Sequence, residues 1–329
     1  SLAAPNLTLA QLEAARERID RLPGASERLI SEGRFESSCN RLGIGGSHML
    51  VGFATSMVKL LPRDMPFSMD VRRALELSLA RNEKESFQVA VMPRGDGLKG
   101  VKVSVGDLRT EGGEVLSADN IGCDVVGYVE TKGKPPYKVP YIGWWPDPIL
   151  DFLGPIDIQA GDLQAFWVRV KTPKTQAPGV YSGTLTVSAE GAKPAQFPLK
   201  VTVHSFALPD HTSLPTAITF FEHPPQMGGA ENWRDMKIVW ADFLADYQID
   251  YDSLYRGGPP DFDIVQHLHD QGRLVAFNLG NVFNAGTSEE GFDQAIAETI
   301  ERIRPGYEKA KERGLLDHAY IYGFDERPK

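Results

Sequence analysis

His318-Ala319-Tyr320-Ile321-Tyr322-Gly323-Phe324-Asp325-Glu326 is the stretch on which the reading of the fold turns. An apolar, aromatic run of strand character delivers two acids side by side at its C-terminal end. Barrels of alternating strands and helices place their catalytic groups at that end of their strands, which makes Asp325 and Glu326 the leading candidates. Adjacent side chains of a regular strand point to opposite faces, so both acids can reach one ligand only where the pleat ends. A position just after Gly323-Phe324 permits that.

Upstream of this stretch, strand and helix patterns alternate. Residues 217–221 are strand-like, 233–247 carry Met236, Trp240, Phe243, Leu244 and Tyr247 on one helical face, and 250–255 form a second strand candidate. A weaker helix over 263–270 precedes a third strand over 274–279. Thr287 and Glu290 then open a helix bearing Phe292, Ile296, Ile300 and Ile303, and 319–324 is the fourth strand. Strict alternation predicts a parallel sheet with right-handed crossovers. Eight such units close a barrel of ~250 residues. Four units are half a barrel, so the reading expects a chain cut within one.

Before Leu208-Pro209-Asp210 the period changes to two. Phe87, Val89 and Val91 alternate with Gln88, Ala90 and Met92. Val101 to Val105, Phe166 to Val170, Tyr181 to Val187 and Phe197 to Val203 repeat the pattern. With Gly, Pro and Asp turns between them, these runs predict an antiparallel β-sandwich. Thr8 to about Gly33 reads as a helix with Leu12, Ala15, Ile19 and Leu22 on one face. The predicted organisation is therefore a helical lead-in over 1–50, a β-sandwich over 51–210 and the first half of a (β/α)8 barrel over 211–329.

At 329 residues and 42% hydrophobic content the chain has material for two packed domains. A net charge of −9 argues against nucleic acid or an anionic membrane as partner, because phosphates require a basic surface. It is compatible with a neutral ligand such as a sugar. No apolar stretch approaches the ~20 residues that span a bilayer. Cys39 and Cys123 lack metal-type spacing and read as buried thiols or one bridge. Gly43-Ile44-Gly45-Gly46 and Gly257-Gly258 carry no phosphate-loop or dinucleotide pattern, so no cofactor is expected.

Four motifs in order, Ala80-Arg81-Asn82-Glu83-Lys84-Glu85-Ser86-Phe87-Gln88, Trp144-Trp145-Pro146-Asp147-Pro148, Pro178-Gly179-Val180-Tyr181-Ser182-Gly183-Thr184-Leu185 and Tyr322-Gly323-Phe324-Asp325-Glu326, make the chain resemble glycoside hydrolase family 123 and its relatives. The resemblance covers roughly Val51 onward. It implies a retaining β-N-acetylgalactosaminidase acting on a glycan or glycoconjugate outside the cytoplasm, secreted or periplasmic. It also implies an N-terminal sandwich, a (β/α)8 barrel and a catalytic Asp-Glu pair at the end of strand four, here Asp325 and Glu326. In such substrate-assisted hydrolysis the sugar's own 2-acetamido oxygen is the nucleophile, so the protein supplies an orienting carboxylate and an acid. The sequence departs from the family pattern in lacking whatever follows strand four.

Polar residues at the other expected strand ends are candidate sugar contacts: Glu222 and His223, Tyr255 and Arg256, Asn278 and Asn281. Each residue type also caps helices or fills turns. His318 begins its strand and belongs to the opposite end, while His267 and His269, two apart on a helix, do not share a face for a metal. Trp144 and Trp145, in an expected proline-bounded loop, read as an interface pair or as a glycan surface. Two rival readings stay open: a non-catalytic glycan-binding module, and a glycosidase for a sugar without an acetamide. A homo-oligomer, or the other barrel half as a partner, would complete the sheet.

Overall fold

The computed structural model describes residues 8–46, 48–133, 135–223, 231–282 and 289–323, with the backbone alone for 9–23 and 289–290. Asp325, Glu326 and Thr287 lie outside the described residues, as do the side chains of Leu12, Ala15, Ile19 and Leu22. The chain divides into two compact units, Ser1–Leu208 and Pro209–Lys329. No helix among the described residues is long and apolar enough to cross a membrane.

The first unit opens with α1 (Leu9–Leu42), which runs well past the helix end expected near Gly33. There follow β1 (Met49–Thr55), β2 (Leu75–Arg81), β3 (Lys84–Pro93), β4 (Leu98–Val105), β5 (Leu108–Arg109), β6 (Val115–Leu116) and β7 (Ile121–Glu130). Then come β8 (Trp144–Leu150), β9 (Ile156–Ile158), β10 (Gln164–Lys171), β11 (Gly179–Ser188) and β12 (Ala195–Ala207). One sheet has the order β1-β3-β10-β7-β8; the other runs β2-β12-β11-β4-β9, with β5 and β6 attached beside β11.

The two sheets share one core, to which Val89, Val91, Phe166 and Val168 contribute from the first and Tyr181, Leu185, Phe197 and Val201 from the second. Period-two alternation puts Ala90 and Met92 on the other face of β3. That face is buried too, because Phe35 and Cys39 of α1 pack there with Leu50, Val126 and Ala165. The helix is thus part of this unit's core.

The motif around Asn82 explains how the chain changes sheets. Asn82, at a φ of 62°, takes the left-handed conformation that Asn tolerates better than most residues. Its N–H donates to Thr172 O (2.8 Å), and Thr172 Oγ1 donates to Ala80 O (2.6 Å). Gln88, buried on β3, donates through Nε2 to Thr55 O (2.9 Å) and Val58 O (2.7 Å). In the third motif a Cβ on Gly183 would stand 2.3 Å from Leu108 Cδ2, so β5 can pair this closely beside β11 only at a glycine.

Two expectations for this unit are corrected. The sandwich is not wholly antiparallel, since β2 pairs parallel to β12, with Leu75 opposite Leu199 and Leu79 opposite Val203. The turn at Asn82 sends β3 into the other sheet, so β2 has no hairpin partner and takes the open edge of β12. Trp144 and Trp145 lie in a strand, β8, and not in a loop. Pro146 and Pro148 are compatible with β8 because it is an edge strand, where a missing N–H breaks no ladder.

In the second unit α2 (Trp233–Ala245), α3 (Phe262–Asp270), β13 (Phe277–Asn281), α4 (Glu289–Glu312) and β14 (Ala319–Tyr322) follow the expected alternation, and β13 and β14 are parallel. The expected strands at 217–221 and 250–255 are not regular strands. They are extended neighbours joined by Phe220 N to Asp252 O (2.8 Å) and Leu254 N to Thr219 Oγ1 (3.2 Å). Asp250 accepts from Val275 N (3.2 Å) and Ala276 N (3.1 Å), so these two amides never enter a ladder and β13 begins at Phe277, three residues later than expected. The four segments follow one another in sequence order along a curled surface in which β13 and β14 are the pair joined by a backbone ladder. Phe262, Val265, Leu268, Phe277, Leu279 and Ile303 are among the side chains of its core.

Leu185 is fully buried between the sheets, whereas Val180 on the same strand is exposed. Leu185→Ala is expected to lower the unfolding free energy by about 2–5 kcal/mol. Val180→Ala should change it by less than about 0.5 kcal/mol. Urea denaturation of the two variants checks the contrast, and equal effects would contradict this core.

Candidate active site

The C-terminal ends of β13 and β14 lie together, with Asn281 opposite Tyr322 and Val282 N donating to Tyr322 O (3.0 Å). Asn281 Nδ2 donates to Arg256 O (2.8 Å), and the Tyr255 ring meets Tyr322 edge-on at 5.8 Å. The structure therefore gathers Tyr255, Arg256 and Asn281 at the strand end from which the chain continues to Asp325 and Glu326. A Cβ on Gly323 would fall 1.9 Å from Val282 Cγ2, so only glycine lets the chain leave β14 this close to its neighbour.

Beneath this end lies a buried carboxylate. Asp252, 3% exposed, accepts from Arg256 Nη2 (2.8 Å), Asn278 N (3.0 Å) and the Tyr320 hydroxyl (2.6 Å). Hydrogen bonds to a charged group contribute about 1.5–3 kcal/mol each. These three also pay for desolvating the carboxylate, for which burial without partners would be prohibitive. Burial, and after it the acceptance by Asp252, pushes the Tyr320 hydroxyl well above its ordinary range, so this proton stays on the phenol. Arg256 also donates through Nε to Ser253 O (3.3 Å), which fixes its guanidinium plane and leaves further N–H groups for a ligand.

Asn278 is fully buried. Its Nδ2 donates to Ser253 O (3.0 Å) and Leu254 O (2.9 Å), while its Oδ1 accepts from Gly280 N (3.0 Å). It holds the loop that carries Tyr255 and Arg256 and keeps no group for a ligand. Glu222 accepts from the Tyr251 hydroxyl (2.7 Å) and Trp233 Nε1 (2.9 Å), with Lys237 Nζ at 3.5 Å. It is thus tied toward α2. Burial and this bond to Glu222 raise the Tyr251 hydroxyl strongly. His223 is exposed beside it.

His318 sits at the start of β14, its Nδ1 3.1 Å from Val275 O and its ring 5.6 Å from His269. That is the end away from the site. Among the described residues no group of three His, Cys, Asp or Glu side chains could hold a metal ion. The groove between α4 and β14, about 460 Å³ and lined by Phe292, Ile296, Ile300, Ile303 and Ile321, is apolar and brings no set of polar groups together.

The sequence reading passed over Asp250, Asp252, Tyr251 and Tyr320. The signal was Asp250-Tyr251-Asp252, two acids at alternate positions of a strand-like run. Such a pair on one face needs buried donors.

Residues 66–189 match the family model described as the glycoside hydrolase 123 N-terminal domain. Among solved structures, the family 123 glycoside hydrolase from Clostridium perfringens, analysed for glycolipid glycan hydrolysis, is 15% identical with a TM-score of 0.62. The match covers 85% of this chain and 58% of that one, so this chain spans little more than half of that enzyme's length. The PapD-like domain 7 of human CEP192 is 12% identical over 40% of this chain and 82% of its own, with a TM-score of 0.24, a likeness too low to carry an argument. No curated protein matches the sequence.

Burial raises the Asp250 carboxyl above the usual range against the pull of the Val275 and Ala276 amides, with the Asp252 charge adding to the rise. The unfolded group ionises near pH ~3.9, below the folded one, so in between the unfolded chain binds fewer protons and native stability falls as pH rises. The stability of the wild type minus that of Asp250→Asn is expected to decline from about pH 4 upward and level off once the folded carboxyl has ionised. Urea titrations across that range check it; a difference that grows with pH would contradict the assignment.

Proposed function

We propose that this chain, a member of glycoside hydrolase family 123 through its N-terminal domain, takes part in retaining hydrolysis of terminal β-linked N-acetylgalactosamine, with Asp325 and Glu326 as the catalytic pair. The observation that carries this reading is the joint ending of β13 and β14, which brings Tyr255, Arg256 and Asn281 to the strand end that leads into Asp325-Glu326. The likeness in fold to the Clostridium perfringens enzyme supports it.

In the proposed reaction Glu326 gives its proton to the glycosidic oxygen as the acetamido carbonyl oxygen bonds to the anomeric carbon and the leaving group departs. Asp325 accepts the acetamide N–H, which aims that oxygen and stabilises the positive charge of the oxazolinium intermediate. Glu326, now ionised, takes a proton from water as the water attacks the same carbon. The ring reopens with net retention. A nearby Asp325 charge favours the protonated form of Glu326, which an acid working near neutral pH requires. Arg256, fixed by Asp252, and Asn281 offer donors to sugar hydroxyls, while the Tyr255 ring offers an aromatic edge.

The test is release of nitrophenol from the β-N-acetylgalactosaminide and from the β-galactoside. Turnover of the first alone, reduced about 10²–10⁴-fold in Glu326→Gln, is the expected result. Equal rates on both sugars would remove the acetamide from the mechanism, and an unchanged Glu326→Gln rate would remove the acid.

A further inference from the structure

The first unit carries a second pocket that the proposed reaction does not use. It has a volume of about 250 Å³ and lies on the β7–β8 side of the first sheet, closed by the residues that precede β10. Trp144 of β8 forms one wall. Its neighbour Trp145 points to the opposite side of the strand, where Tyr141 (5.9 Å) and the Lys59 ammonium (5.3 Å) cover it. The two tryptophans that the sequence could not tell apart therefore have different surroundings. Only Trp144 lines the pocket, half-buried.

Pro62, Ile158 and Leu163 add apolar wall, and the polar groups set among them are held in place. Arg63 is paired with Asp162, and Leu163 N donates to Pro62 O (2.9 Å), locking together the two loops that carry this pair. Gln164 Nε2 donates to Val126 O (2.9 Å) and Ala165 O (2.6 Å), which fixes the side chain's carbonyl. The Tyr128 hydroxyl accepts from Ala165 N (3.1 Å), so this ring is also fixed. Gln159 is exposed at the rim.

The lining narrows the chemistry of a ligand. Arg63 is paired with Asp162, and Asp157 with Lys99 (2.6 Å), so the lining offers no unmatched positive charge to an anion. No metal-type cluster is present among the described residues. The fixed polar groups among these apolar walls disfavour a purely apolar guest. An indole face for C–H groups beside planar guanidinium, carboxylate and amide groups suits a ring of hydroxyls. The volume lies just under the ~300–1,000 Å³ of sites for drug-sized molecules, which fits a single ring.

We propose that this pocket is a carbohydrate-binding subsite for one neutral sugar ring, stacked on Trp144 and hydrogen-bonded by Arg63, Asp162 and Gln159. It stands apart from the reading of Asp325 and Glu326 and does not rest on it. Binding here would hold a glycan on the first unit independently of turnover.

The full chain is titrated with free N-acetylgalactosamine, galactose and glucose, and saturation-transfer NMR reads the bound sugar. Saturable binding of at least one of them is expected, weakened about tenfold in Trp144→Ala and about threefold in Gln159→Ala. Because Gln159 is exposed, its variant tests the site even where Trp144→Ala perturbs folding. Binding should persist in Arg256→Ala. Absence of saturable binding by all three sugars, full affinity in Gln159→Ala, or binding lost in Arg256→Ala and kept in Trp144→Ala would each overturn the proposal. The last would assign the sugar to the candidate active site, and none of the three outcomes depends on whether Glu326 catalyses.

Discussion

The second unit depends on one buried carboxylate. Asp252 receives the hydroxyl of Tyr320 from β14, the amide of Asn278 from β13 and the guanidinium of Arg256 from its own loop, so three segments of the curled sheet converge on a single side chain. Its own carbonyl meanwhile accepts from Phe220. Ordinary parallel sheets are tied by backbone ladders. Here the ladder between 250–255 and β13 is replaced by Asp250 and Asp252, whose oxygens take the amides of Val275, Ala276 and Asn278. A side-chain seam of this kind lets the chain between Ser253 and Arg256 leave the sheet, and Asn278 then fixes that departure through the Ser253 and Leu254 carbonyls. The same bonds that hold the sheet together position Tyr255 and Arg256 at its open end.

The first unit solves a different problem. A sheet buried on both faces must satisfy any polar group it encloses. Gln88 does so through the Thr55 and Val58 carbonyls, and Thr172 does so at the corner where β2 passes into β3. The motifs that relate this chain to a family thus have structural reasons of their own: Asn82 for a left-handed turn, Gln88 for a buried amide, Gly183 for the close approach of Leu108 on β5. Such motifs identify a scaffold. The proposed reaction rests on the strand ends of the other unit, and the proposed sugar subsite on the pocket beside Trp144.

Much of this was legible in the residues. Alternation in Val89 and Val91 gave β3, and the aromatic run Ala319-Tyr320-Ile321-Tyr322 gave β14, because local period and residue type dictate a strand wherever one face is buried. What stayed hidden was decided at long range. Asp252 reaches its partners Asn278 and Tyr320 over separations of 26 and 68 residues, and no window of sequence shows them meeting. The parallel pairing of β2 with β12 likewise follows from which edge was left open, and Trp144 in an edge strand read as a loop because of its prolines. Of the sugar-contact candidates, Tyr255, Arg256 and Asn281 come together. Asn278 is consumed by its neighbours and Glu222 by α2, since polar residue type alone does not say whether a group faces a ligand or a backbone carbonyl.

The direct test of the Asp252 seam is a double-mutant cycle of Asp252→Ala and Tyr320→Phe, read by urea unfolding. The account expects a coupling of about 1.5 kcal/mol or more, the range for a hydrogen bond to a charged group. Additive effects within about 0.5 kcal/mol would mean that the two side chains act independently, and would contradict the carboxylate as the tie between the segments.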